Sequence, residues 1–111
     1  MNREIQTYGD YFDDFMRSLD VKVQKKIRQG LFLLITQDRV SKKFVKAIRD
    51  GLFELRTEWE GDIFRVFFIF DEGRIVVLFN GFQKKTQKTP TKEIEKALKL
   101  KKEYLKWKQE K

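Results

Sequence analysis

The stretch LFELRTEWEGDIFRVFFIFDEGRIVVLFNGF, Leu52 to Phe82, decides the fold. Three apolar-rich segments, LFELRTEW (52–59), IFRVFFIF (63–70) and RIVVLFNGF (74–82), are separated by Glu60-Gly61-Asp62 and Asp71-Glu72-Gly73. Strand-length runs rich in Phe, Val and Ile, joined by short glycine-containing turns, predict an antiparallel meander. IFRVFFIF is apolar almost throughout rather than alternating, which predicts a central strand covered on both faces.

Outward from the meander, FVKAI (44–48) reads as one more short strand, closed by the turn signal Asp50-Gly51. REIQTY (3–8) alternates like a short strand at the N-terminus. Between them, Tyr8 to Leu19 places Tyr8, Tyr11, Phe12, Phe15 and Leu19 at helical spacing. Asp20 then suits the N-cap of a second helix, in which Val23, Ile27, Leu31, Leu34 and Ile35 recur every three to four residues. Two helices with apolar stripes and a tight joint make a hairpin that needs a sheet to cover. After the meander, Pro90 is expected at the first helical position with Thr89 as its cap. The charged helix that follows is expected to turn Ile94, Ala97, Leu98, Leu105, Tyr104 and Trp107 inward. The whole reads as one α+β domain over residues 1–111.

Composition narrows the chemistry. The hydrophobic fraction of 41% and 11 phenylalanines argue for a packed core rather than disorder. Without cysteine there is no disulfide framework and no thiolate zinc site, which fits a reducing cytosol. No apolar run reaches the roughly 18 to 20 residues of a membrane span, and MNREIQTYGD lacks a signal peptide's apolar core, so a soluble, cytoplasmic protein is expected. Without histidine, Ser–His–Asp and Cys–His catalysis are excluded, and any enzyme must work with Lys, Arg, Glu, Asp and Tyr. The formal net charge of +8 is unevenly spread. Residues 1–80 carry 14 Lys/Arg against 13 Asp/Glu, whereas residues 81–111 carry 11 Lys against 4 Glu. Nearly all the excess begins at GFQKKTQKTP (81–90), and such a cluster attracts phosphate backbones or an acidic protein partner.

Two arginines interrupt the strands. Arg65 shares a face with Phe67 and Ile69, and Arg56 follows Leu52 and Glu54 at alternate positions. A mid-strand arginine is costly unless it is paired or reaches a solvent-facing concavity. One reading is an ion pair across the hairpin, Glu54 with Arg65 or Arg56. The other is a cationic site shared with Lys84 and Lys85. Alternation sends those two lysines to opposite faces, so a regular strand brings one of them to the face of Arg65, and a bend at Gly81 would be needed for both.

GLFELR (51–56), FRVFFIF (64–70), GRIVVLFNGFQKKTQKTP (73–90) and KEIEKAL (92–98), in this order and spacing, resemble the RelE/ParE toxin superfamily of bacterial toxin–antitoxin systems. The likeness is to the HigB-like branch that includes phage-derived Gp49-like proteins, and it covers almost the whole chain. It implies a RelE-like fold: an N-terminal strand, a helical hairpin packed on a small curved, mainly antiparallel sheet, and a C-terminal helix. It implies ribosome-dependent mRNA cleavage without metal or cofactor, in which a ribose 2′-hydroxyl attacks the adjacent phosphate. It also implies neutralisation by a cognate antitoxin, often a helix-turn-helix protein, with operator DNA bound only through that antitoxin. A ParE-like toxin that binds gyrase, or a basic module without catalysis, is the alternative.

Within that chemistry, Arg65 is the expected clamp for the scissile phosphate, because a guanidinium fork can bind two oxygens. Lys84 and then Lys85 are expected to touch a neighbouring phosphate or move charge, with Glu54 the candidate base. Arg56, Phe82, Gln83, Thr86 and Lys88 are the expected RNA contacts, Phe82 by stacking on an unpaired base, with packing in the core its other and favoured role. Tyr104 is a candidate acid or hydrogen-bond donor, with packing in the helix core its other role. Some related toxins place histidine, or acidic and tyrosine residues of the C-terminus, at this site, whereas here the tail reads KEYLKWKQEK.

Overall fold

A computed structural model describes residues 2–84 and 90–111. The elements run β1 (Glu4–Thr7), α1 (Tyr11–Arg17), α2 (Val21–Thr36), β2 (Val45–Arg49), β3 (Leu52–Trp59), β4 (Asp62–Asp71), β5 (Ile75–Lys84) and α3 (Thr91–Gln109). The five strands form one sheet in the order β1-β5-β4-β3-β2. β1 lies parallel to β5, and the other neighbours are antiparallel. The fold is α+β, with the expected element order.

The hairpins follow from their glycines. Asp50-Gly51 and Glu60-Gly61 both have positive φ at their two central residues, the I′ geometry that matches strand twist. β4 takes the central place, and Phe64 to Ile69 are buried without interruption. On one face, the α1–α2 hairpin contributes Phe12, Met16, Val23, Ile27 and Leu34 to a core with Leu55, Phe64, Val66, Phe68, Val76 and Leu78. On the other, Ala97, Leu100 and Tyr104 of α3 cover Leu52, Phe67, Ile69, Val77 and Phe79. Asp20 caps α2, its carboxylate accepting the Lys22 backbone N–H at 2.9 Å. Arg3, beside β1, donates to the carbonyl of Leu34 at 2.9 Å and so satisfies the other end of that helix.

Three helix expectations shift. α1 begins at Tyr11 instead of Tyr8, because Gly9 has φ +67° and breaks the chain direction. Tyr8 extends β1, donating its backbone N–H to Leu78, and its ring meets Phe79 and Tyr104 edge-on at 6.2 and 5.9 Å. Pro90 is the N-cap residue of α3, and helical geometry starts at Thr91, while Thr89 lies outside the described residues. Leu105 and Trp107 are exposed, and Leu100 is buried in their place. At roughly 100° per residue, position 105 falls about a quarter turn outside the stripe formed by 97, 100 and 104. Trp107 lies at the margin of that stripe, close to the direction of Leu100, with its ring centroid 6.0 Å from that of Tyr104.

At Gly81, α1 lies close against the sheet. A Cβ built there would stand 2.3 Å from Phe15 Cδ2 of α1. Gly81→Ala should therefore push α1 off β5 and destabilise the protein by about 1–3 kcal/mol, the usual cost of overpacking a core. Chemical denaturation of the variant measures this, and a midpoint equal to that of the parent would show that Phe15 yields freely.

Candidate functional site

Register brings the strand cations together. Arg56 of β3 stands opposite Arg65 of β4, and Lys46 of β2 opposite Glu54. Across the other hairpin, Arg65 faces Phe82, and Ile63 faces Lys84. Directly opposed residues share a sheet face. Lys46, Glu54, Arg56, Arg65, Phe82 and Lys84 thus lie on the face that carries α3.

At the centre, Arg65 Nη1 forms a salt bridge to Glu54 Oε2, and both residues are buried. The ion pair expected across this hairpin is therefore made by Glu54 with Arg65. Arg56 pairs instead with Glu58 at 3.5 Å, near the surface. Burial depresses the pKa of Arg65, yet a guanidinium stays charged in a protein. Its Nε has no hydrogen-bond partner among the described residues, which leaves the buried fork with donor capacity beyond Glu54. Partial burial, followed by the charges of Arg65, Lys46 and Arg56, holds the Lys84 ammonium below the ordinary lysine range. Such crowding of like charges is what an anion would relieve.

The other expected site residues are distributed differently. Phe82 is buried and stacks on Phe67, with ring centroids 5.5 Å apart, so its ring is engaged in the core. Gln83 is opposite Phe64 and points to the other face, away from Arg65. Lys85, Thr86 and Lys88 lie outside the described residues. Lys46 joins the cluster without having been singled out in the sequence. Beside the cluster, Asn80 donates through Nδ2 to the Glu93 carbonyl at 3.4 Å and ties β5 to the first turn of α3.

Tyr104 of α3 reaches the C-terminal end of β4, where its partner Asp71 lies six residues from Arg65 along the strand. Its hydroxyl donates to Asp71 Oδ2 at 2.6 Å, and Lys108 Nζ donates to the same carboxylate at 2.8 Å. Burial first, then the bond to Asp71, pushes the Tyr104 phenol up to about 12. That placement makes it a clasp between α3 and the β4–β5 turn, remote from the cations. Burial tends to raise the Asp71 carboxyl, but hydrogen bonds from Lys108 and Tyr104 outweigh it and hold the group below its ordinary value. A depressed carboxyl stabilises the fold above the unfolded-state pKa, and that stability is lost as pH falls through the folded value. Asp71→Asn should flatten this part of the acid-denaturation curve and lower Tm at neutral pH. Melting temperatures measured from neutral pH down to about pH 2 test it, and an Asp71→Asn curve parallel to that of the parent would rule it out.

The phage-derived Gp49-like protein family model matches residues 14–102. The chain belongs to that family. The match runs from α1 into α3 and includes every strand residue of the cationic cluster. The Gp49-like family is a family of RelE-like toxins, associated with toxin–antitoxin systems, and membership implies a cognate antitoxin as partner. Ribonucleases are frequent among these toxins. No curated protein matches the chain.

Proposed function

We propose that this Gp49-like toxin is a HigB-like, ribosome-dependent mRNA endoribonuclease, held inactive by its antitoxin. The observation that carries this reading is Arg65: a buried, oriented guanidinium on a sheet face shared with Lys84, Arg56 and Lys46. In the reaction, the ribose 2′-oxygen forms a bond to phosphorus while the bond from phosphorus to the 5′-oxygen breaks. The 2′ proton is lost to water or a ribosomal group, and the departing 5′-oxygen gains one. Negative charge builds on the phosphate oxygens, where fixed cationic donors lower the barrier.

Arg65 clamps those oxygens. Lys84, with its lowered pKa, is the readier proton donor to the leaving oxygen. Arg56 and Lys46 neutralise adjacent phosphates. The salt bridge to Arg65 supports an orienting role for Glu54 in place of the base role expected from its position, since its carboxylate is already engaged.

Inducing the chain in bacteria and mapping transcript 5′ ends tests the proposal, using one reporter with and without its start codon. New 5′-hydroxyl ends confined to the translated reporter are expected. Growth arrest without such ends would favour a ParE-like or purely binding toxin.

A further inference from the structure

β2 ends before β3 does. Their last paired residues are Val45 and Leu55, and just past them the Arg56 N–H donates to the Phe44 carbonyl at 2.7 Å. Among the described residues, no strand pairs with this edge of β3 beyond Arg56. Between that edge and α2 lies a cleft of ≈ 480 Å³, lined by Lys26 and Gln29 of α2, Lys43 and Phe44, and Arg56 and Thr57 of β3.

We propose that this cleft receives the neighbouring nucleotide of an RNA strand whose scissile phosphate lies against Arg65. The inference rests on the RNA-cleaving reading and extends it to a second subsite. Arg56 links the two places, because it stands opposite Arg65 in the sheet and also lines the cleft. Arg65 and Arg56 lie on the α3 face, whereas α2 walls the cleft from the other face, so a strand that leaves Arg65 towards β3 rounds the unpaired edge at Arg56 to enter this opening. The charge suits a phosphate: Lys26, Lys43 and Arg56 converge there, and Glu58 is the one carboxylate among the lining residues. The Arg56–Glu58 pair is 3.5 Å long and partly exposed, a weak contact that a phosphate can replace.

The lining also suits a base. Lys43 Nζ stands 5.8 Å from the centroid of the Phe44 ring. A base laid on that ring has a cation beside it, and the Gln29 amide and Thr57 hydroxyl offer both donors and acceptors. Unpaired RNA is held by this combination of stacking, edge contacts and backbone charge. An acidic protein segment would use the lysines alone, leaving the ring and the amide without a role, and so fits the lining less well.

The test is an NMR titration of the full ¹⁵N-labelled chain with a 2′-O-methyl RNA tetranucleotide, which binds but has no attacking hydroxyl. The amides of Gly30 and Thr57 report the cleft, and those of Phe82 and Lys84 report the Arg65 site. Saturable shifts at both, with one Kd, are expected. The surface variant Lys26→Glu/Lys43→Glu should lose the cleft shifts and weaken binding about tenfold, while the shifts at Phe82 and Lys84 persist. Shifts confined to Phe82 and Lys84 would overturn the cleft assignment and leave the RNA-cleaving reading intact. Shifts confined to the cleft would overturn the placement of the scissile phosphate at Arg65, and none at all would overturn the cleft assignment, while ribosome-dependent cleavage stands or falls with the transcript 5′ ends. A hexaglutamate peptide that shifts the cleft amides as strongly as the RNA would replace the nucleotide with an acidic protein segment.

Discussion

Arg65→Ala should abolish growth arrest and lower transcript cleavage by about 100- to 1,000-fold or more, the range seen when a preorganised charge-stabilising donor is removed. The same substitution should cost about 3–5 kcal/mol of stability, because it strips the buried Glu54 carboxylate of the guanidinium that faces it. Loss of activity in this variant alone would therefore be ambiguous. The double variant Arg65→Met/Glu54→Gln separates the two effects. Exchanging a buried ion pair for neutral groups of similar size is often close to neutral in stability, so the double variant should melt near the parent and still be inactive. Arg65→Lys keeps the charge but not the two-pronged fork, and should retain only a small part of the activity. A well-folded double variant that still arrests growth would remove Arg65 from the chemistry.

The difference between sequence and structure at this site comes down to two bulges. From the Asp71-to-Ile75 pairing, a regular ladder would set Gly81, Gln83 and Lys85 on the face of Arg65. Instead, the register slips between Val66 and Phe68, where β5 spends one residue more than β4. That extra residue turns Phe82 and Lys84 to Arg65 and sends Gln83 to the helical-hairpin face. It also leaves Gly81 beneath Phe15, where no larger residue fits without displacement. A second slip, between Ala47 and Arg49, brings Lys46 opposite Glu54, whereas a regular two-residue hairpin would have paired Glu54 with Ala47. Side-chain direction has a period of two, so one inserted residue reverses every position beyond it.

The strands themselves were legible because Phe, Val and Ile runs and x-Gly turns are local signals. The Glu54–Arg65 pairing was legible because both residues lie close to the same hairpin. Which lysine shares the face of Arg65 was not, since bulges answer to packing against α1 and α3 rather than to nearby sequence. The inward faces of α3 were blurred for a related reason. Leu105 and Trp107 are apolar, but the stripe is fixed by where Ala97, Leu100 and Tyr104 land on the sheet.

Lys84→Gln should move activity and stability in opposite directions. Its ammonium is held where burial and the charges of Arg65, Lys46 and Arg56 oppose it. In the folded protein its pKa lies below the ordinary value of 10.5, so between the two values the unfolded chain binds more protons than the native one. Stability from this group therefore rises with pH across that window, and at neutral pH the parent bears the full repulsion. The glutamine variant should show a higher Tm at pH 7, an advantage that shrinks towards pH 10 and in high salt, where exposed charges are screened. Its cleavage rate should nevertheless fall about 100-fold, the scale of a lost general acid. Lys84→Arg provides the control: it keeps the charge but cannot release a proton at working pH. If Lys84 donates to the leaving oxygen, the parent's activity should decline as pH rises through the depressed pKa, and that limb should vanish in Lys84→Arg along with most of the rate. Should Lys84→Arg cleave as fast as the parent at every pH, Lys84 would be an electrostatic contact to phosphate and nothing more. Should Lys84→Gln melt below the parent at pH 7, the cationic cluster would not be strained, and its charges would already be balanced without RNA.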